Sequence, residues 1–127
     1  MNANPNVAIA VRYFEALSRK DPHAAPLAPD VVMESPITPK LRGVAPVLEY
    51  LEGLTSVAKA IRTLDFIAEG NKVAVQFELE TESGVIPGFE CLEISEGFIK
   101  KLRPYFDTRP LIEGATGTGE ERMRRGT

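Results

Sequence analysis

Apolar positions along this chain keep a helical period through the first half and alternate through the second. Val7, Ala10, Val11, Phe14 and Leu17 fall on one stripe of a helix. Asn4 can cap that helix, and Pro5 suits its first position, where a missing N–H costs nothing. Pro22 stops it. The segment from His23 to Asp30, with three alanines and two prolines, predicts one or two short helical turns. Val31 to Ser35 predicts a short strand, ended by Pro36 and a proline-punctuated loop running to Gly43. From Gly43 to Leu54, Val44, Val47, Leu48, Leu51 and Leu54 make a second amphipathic helix, with Pro46 tolerated in its first turn.

Beyond Leu54 the period drops to two. Val57 to Ala68 predicts a strand closed by the turn Glu69-Gly70-Asn71. Lys72 to Thr81 alternates, with Val73, Val75, Phe77 and Leu79 on one face and Lys72, Gln76, Glu78 and Glu80 on the other. Val85 to Ser95 and Phe98 to Asp107 follow, separated by the turns Ser83-Gly84 and Glu96-Gly97. Pro87-Gly88 and Pro104 inside these strands predict bulges or edges. Helices followed by a meander of strands predict an α+β domain over residues 1–112: a cone-shaped, curved antiparallel sheet packed against the N-terminal helices and enclosing a pocket. Residues 113–127, glycine-rich and nearly without apolar side chains, predict a flexible tail.

Composition narrows the classes of function. A chain of 127 residues fits one domain with a self-sufficient core. A formal charge of −3 argues against a nucleic-acid partner. The longest apolar run, residues 7–11, is too short for a bilayer, and no charged-then-apolar leader opens the chain. A cytoplasmic protein without membrane association is expected. One cysteine, Cys91, and one histidine, His23, leave no internal disulfide and no structural zinc set. No metal or nucleotide motif is present, so no cofactor is expected.

Four segments carry a resemblance: RYFEAL in the first helix, APDVVMESP, LRGVAPVLEYL, and EGFIKKLRPYFD at the end. In order and spacing they resemble the nuclear transport factor 2-like superfamily, and within it the SnoaL-like and ketosteroid isomerase-like branch. The resemblance places Tyr13 where those isomerases carry a tyrosine that hydrogen-bonds a developing enolate. It places Glu90 where they carry the carboxylic acid of the oxyanion hole. Their catalytic aspartate falls on Ser35, which cannot act as a carboxylate base. The ending GFIKKLRPYFDTR also resembles the limonene epoxide hydrolases, with Asp107 at one of that family's active-site aspartates. That family's other inward residues fall on Met33, Ser35, Phe77 and Leu79, which cannot form its Asp-Arg-Asp relay.

The expected catalytic set is therefore Tyr13, Glu90 and Asp107. The expected pocket wall is Phe14, Leu17, Met33, Ser35, Leu51, Val75, Phe77 and Leu92, around a small, mostly apolar ligand. Glu90 shares parity with Leu92 and Ile94 and so should face the core. A desolvated carboxyl is pushed toward its neutral form and can donate a hydrogen bond or a proton. The chemistry implied is cofactor-free isomerisation, cyclisation or dehydration of a carbonyl compound. Epoxide hydrolysis and a non-catalytic binding or dimerisation module are the alternatives, and a core tyrosine or a turn-capping aspartate would leave the same pattern at Tyr13 and Asp107. Relatives often dimerise through the outer face of the sheet, and a homodimer of that kind is expected here.

Overall fold

A computed structural model describes residues 4–107 and Arg109; the expected tail, residues 113–127, lies outside them. Helix α1 runs Pro5–Ser18. Asn4 caps it, Oδ1 accepting from the Asn6 N–H at 2.9 Å, while its Nδ2 donates to the Gly70 carbonyl at 3.0 Å. The cap thus pins the start of α1 to a distant hairpin turn. A 3₁₀ turn at Pro22–Ala24 follows. Next come β1 (Leu27–Ser35), β2 (Thr38–Arg42), α2 (Val44–Val57) and β3 (Ala60–Glu69). The chain continues through β4 (Lys72–Thr81), β5 (Gly84–Ser95) and β6 (Phe98–Phe106).

Six strands form one sheet in the order β2-β1-β6-β5-β4-β3. All pairs are antiparallel except β1–β6. The α+β arrangement expected from the sequence is the one observed. Four local readings need correction. Residues 27–30 extend β1 rather than forming helical turns, because Leu27 pairs with Ile99 on β6, a parallel contact that local periodicity cannot show. The loop from Pro36 to Gly43 contains β2, whose Pro39 is tolerated because the strand is at the sheet edge. Val57 closes α2 rather than opening a strand.

Pro87-Gly88 makes no bulge against β4. Glu78 faces Pro87 and Phe77 faces Gly88 in unbroken register. The irregularities lie elsewhere, between Leu27 and Val32, Met33 and Ser35, Thr63 and Asp65, and Glu93 and Ile94. Such extra residues bend strands and strengthen their twist, and here they curve the sheet around the helices. Gly88 has a different task. A Cβ there would lie 2.6 Å from Cζ of Phe77 and 3.1 Å from Cβ of Phe106, so the glycine gives the Phe77 ring its seat.

The core is shared by both layers. Ala10, Tyr13, Phe14 and Leu17 of α1 and Val47 and Leu51 of α2 pack on Val31, Met33, Val73, Val75, Leu92 and Leu102 of the sheet. Lys20, in the left-handed region at φ 59°, donates from Nζ to the Thr55 carbonyl at 2.6 Å and to the Ala58 carbonyl. It satisfies acceptors at the end of α2 that the helix itself leaves open. The two helices are held over the sheet at fixed separation, and the site lies between them.

Replacing Gly88 with alanine should push the buried Phe77 ring off β5. A loss of about 1–3 kcal/mol is expected in urea unfolding, the usual range for overpacking a core. Unchanged stability would mean the ring is free to move.

Candidate active site

Glu90 sits mid-strand on β5, opposite Val75 of β4 and Pro104 of β6. Its neighbours on the same face, Ile86, Leu92 and Ile94, are buried, so alternation alone turns the carboxyl inward. Glu90 is 3% exposed, one of few buried polar side chains in the described chain. Tyr13, on the buried stripe of α1, is 1% exposed and its hydroxyl hydrogen-bonds the Glu90 carboxyl. Oxygen Oε2 of Glu90 has no hydrogen-bond partner among the described residues. One oxygen is held and one is open.

Both groups line a single narrow cavity of about 10 Å³, room for roughly one water molecule. Phe14 and Leu17 of α1, Met33 of β1 and Leu51 of α2 form part of its wall. Ile61, Phe77 and Leu79 come from β3 and β4, and Pro104 and Phe106 from β6. Tyr50 and Leu54 of α2 complete it. Tyr50, Leu54 and Phe106 are half-buried and form the rim. The rings are close-packed: Tyr13 meets Phe14 edge-on at 5.0 Å, and Phe14 lies 5.5 Å from Phe77.

The electrostatics follow from this burial. Burial pushes the Glu90 carboxyl up to about 8, opposed only in part by the Tyr13 hydrogen bond. Burial first, and the neighbouring Glu90 charge second, raise Tyr13 well above its ordinary value. Tyr50 is raised by the same two causes. At neutral pH the three polar groups that the described residues place on the wall, Tyr13, Tyr50 and Glu90, all favour their uncharged forms.

Other expected site residues lie elsewhere. Val75 and Leu92 are buried in the core behind the cavity rather than on its wall. Ser35, at the end of β1, is half-buried and its Oγ accepts from the Ile37 N–H at 3.3 Å. Asp107 is exposed after β6 and outside the lining. Its carboxylate pairs with the Arg109 guanidinium at 2.8 Å, and that bond holds it down at about 2. The structure therefore brings Tyr13 and Glu90 together and leaves Asp107 and Ser35 apart from them. Tyr50 was missed by the sequence reading, although it stands three residues after Val47 and four before Leu54, on the flank of the same helical stripe.

Comparison with known families decides the membership. The profile of the SnoaL-like domain matches residues 10–102. The chain belongs to the SnoaL-like domain family. Among solved structures, this SnoaL-like domain is similar to a candidate polyketide cyclase from Sinorhizobium meliloti, at 23% identity over 77% of this chain and 94% of that one, TM-score 0.70. It is similar to a candidate ketosteroid isomerase from Kribbella flavida, at 24% identity over 79% and 76%, TM-score 0.69. A de novo designed protein with a curved β-sheet shares the fold at 20% identity over 90% and 96%, TM-score 0.77. At such identities the likeness establishes the fold alone. A comparison with curated proteins found no match to the chain. No helix of the described residues is long and apolar enough to cross a membrane.

Glu90 should also be visible in stability. Its folded-state value near 8 exceeds the reference of 4.5, so the native state holds the proton more tightly. The stability this contributes is complete below the reference value and is lost as pH rises toward about 8, by up to about 1.4 kcal/mol per pH unit. Urea unfolding across that range should show the decline in the wild type and not in Glu90→Gln. Equal slopes in the two proteins would mean that Glu90 ionises as an exposed carboxyl does.

Proposed function

We propose that this SnoaL-like domain is a small, cofactor-independent enzyme doing acid–base chemistry on a mostly apolar carbonyl compound. The observation that carries the reading is the Glu90 carboxyl: fully buried, held neutral at neutral pH, and with one unpartnered oxygen in an apolar cavity. A buried acid of this kind donates a hydrogen bond or a proton to a carbonyl oxygen, which stabilises the enol or enolate that forms. Ketosteroid isomerase is the worked example of a carboxyl kept protonated for that purpose.

The wall favours some reactions over others. It carries no second carboxylate among the described residues, and Asp107, paired with Arg109 and shifted down to about 2, is a weak base. A double-bond shift that needs a strong, positioned base is poorly served. Cyclisation or dehydration of a substrate already prone to enolise needs mainly the acid. Epoxide hydrolysis has less support, since Phe77 and Leu79 occupy inward positions where a charged relay would have to stand. The narrowness of the cavity supports a second reading, a non-catalytic module whose pocket is filled by its own side chains.

Exchange of α-protons for deuterium in a readily enolised bicyclic ketone such as 2-tetralone, with solvent water taking the proton from carbon, separates the two. The enzyme reading expects faster exchange with wild type, and a loss of about 10²-fold or more in Glu90→Gln. No acceleration by the wild type would favour the non-catalytic module.

We also propose a cytoplasmic homodimer through the outer face of the sheet. Ile67, Phe89 and Tyr105 are exposed there, and Ala74 and Cys91 lie in the same rows, with charges of both signs at Arg103, Glu93 and Glu78. An apolar centre with a mixed-sign rim can pair with itself about a twofold axis. Light scattering should give twice the 13.9 kDa chain mass, falling to the single-chain value in Phe89→Glu. A single-chain mass for the wild type would contradict the dimer.

A further inference from the structure

Three polar side chains meet the cavity, and they are not equivalent. The Tyr13 hydroxyl is spent on the Glu90 carboxyl, deep under α1. Oε2 of Glu90 is buried and has no partner among the described residues. Tyr50 enters from α2, the element facing the sheet across the cavity, and sits at the half-buried rim. It is close enough to Glu90 for that charge to raise its phenol, after the larger effect of burial. Two polar groups, the Glu90 carboxyl on the sheet and the Tyr50 phenol on the helix, line one space. With the Tyr13 hydroxyl engaged, the Tyr50 phenol at the rim is the donor on the wall that an entering ligand meets, and such a ligand would exchange it from solvent.

We propose that Tyr50 is the second donor to the oxygen of a bound ligand, acting opposite Glu90, and that Tyr13 is a positioning residue that holds the Glu90 carboxyl in place. This rests on the acid–base reading of the same cavity, and it changes which tyrosine touches the ligand. It also narrows the ligand class. No lysine or arginine among the described residues lines the cavity, so an anionic head group would lose its water with no counter-ion from them in return. The ligand is a neutral ketone, enol or phenol on an apolar body, not a carboxylate. Its admission requires the rim residues Tyr50, Leu54 and Phe106 to move outward, because the closed cavity holds only about one water. Tyr50 then closes onto the oxygen as the rim returns. Recognition and closure share one side chain.

Binding of 2-naphthol, naphthalene and 2-naphthoate to the wild type and three variants tests this. The expected order for the wild type is 2-naphthol above naphthalene, with 2-naphthoate weakest. Tyr50→Phe should cut 2-naphthol affinity about five- to tenfold while leaving naphthalene affinity and the Glu90 titration unchanged. Tyr13→Phe should instead move the Glu90 titration upward, which Tyr50→Phe should not, as followed by ¹³C NMR of the labelled carboxyl. Glu90→Leu should abolish the preference for 2-naphthol. If that preference depends on Glu90 but survives Tyr50→Phe, the assignment of Tyr50 is overturned and the acid–base reading stands. If the wild type binds 2-naphthol no better than naphthalene, or binds neither, both are overturned. Tight binding of 2-naphthoate would overturn the neutral-ligand class.

Discussion

A carboxyl group folded into an apolar layer must give up either its charge or its burial, and Glu90 gives up its charge. The surrounding chain leaves it no alternative. Unbroken pairing with β4 fixes the register of β5, and the period of two then points Glu90 the same way as Leu92 and Ile94. Tyr13 arrives from the buried stripe of α1 and satisfies one oxygen. The second oxygen has no partner among the described residues, a costly state for a buried polar atom that folds retain chiefly where function uses it. The carboxyl thus depends on packing for its protonation state, and the chemistry proposed depends on that state.

The same packing makes the cavity narrow. Phe14, Phe77 and Phe106 form a continuous run of ring contacts, and Gly88 lets Phe77 settle directly on the strand beneath it. The packing that buries Glu90 also keeps ligands out until the rim moves. A de novo designed protein shares the curved sheet, and an architecture by itself implies no reaction. The distinction must come from the few polar atoms inside it. In this chain they belong to Tyr13, Tyr50 and Glu90.

Much of this was legible in the sequence, and the failures have physical reasons. The α1 stripe and the alternation of β4 and β5 are local patterns, and they located Tyr13 and Glu90 correctly within the core. The β1–β6 pairing joins Leu27 to Ile99 across most of the chain, so nothing in the residues around Leu27 announced a strand. Prolines at 36 and 39 hid β2, because a short edge strand accepts what a central one would not. Asp107 was drawn into the candidate site by its place at a strand end. Arg109, two residues on, was the available sign that the carboxylate would be neutralised outside the cavity. Tyr50 was overlooked because Leu48 and Leu51 already filled the apolar stripe, and a tyrosine beside them reads as packing. The cavity volume has no local signature at all, since it depends on how closely two layers approach.

The most direct test of this account is the ionisation of one side chain. A titration of ¹³C-labelled Glu90, followed by NMR of its carboxyl carbon, should give a midpoint near 8, far above the reference of 4.5. A midpoint near the reference would mean that water reaches the carboxyl, that it is ionised at neutral pH, and that the acid on which the proposed chemistry rests is not there.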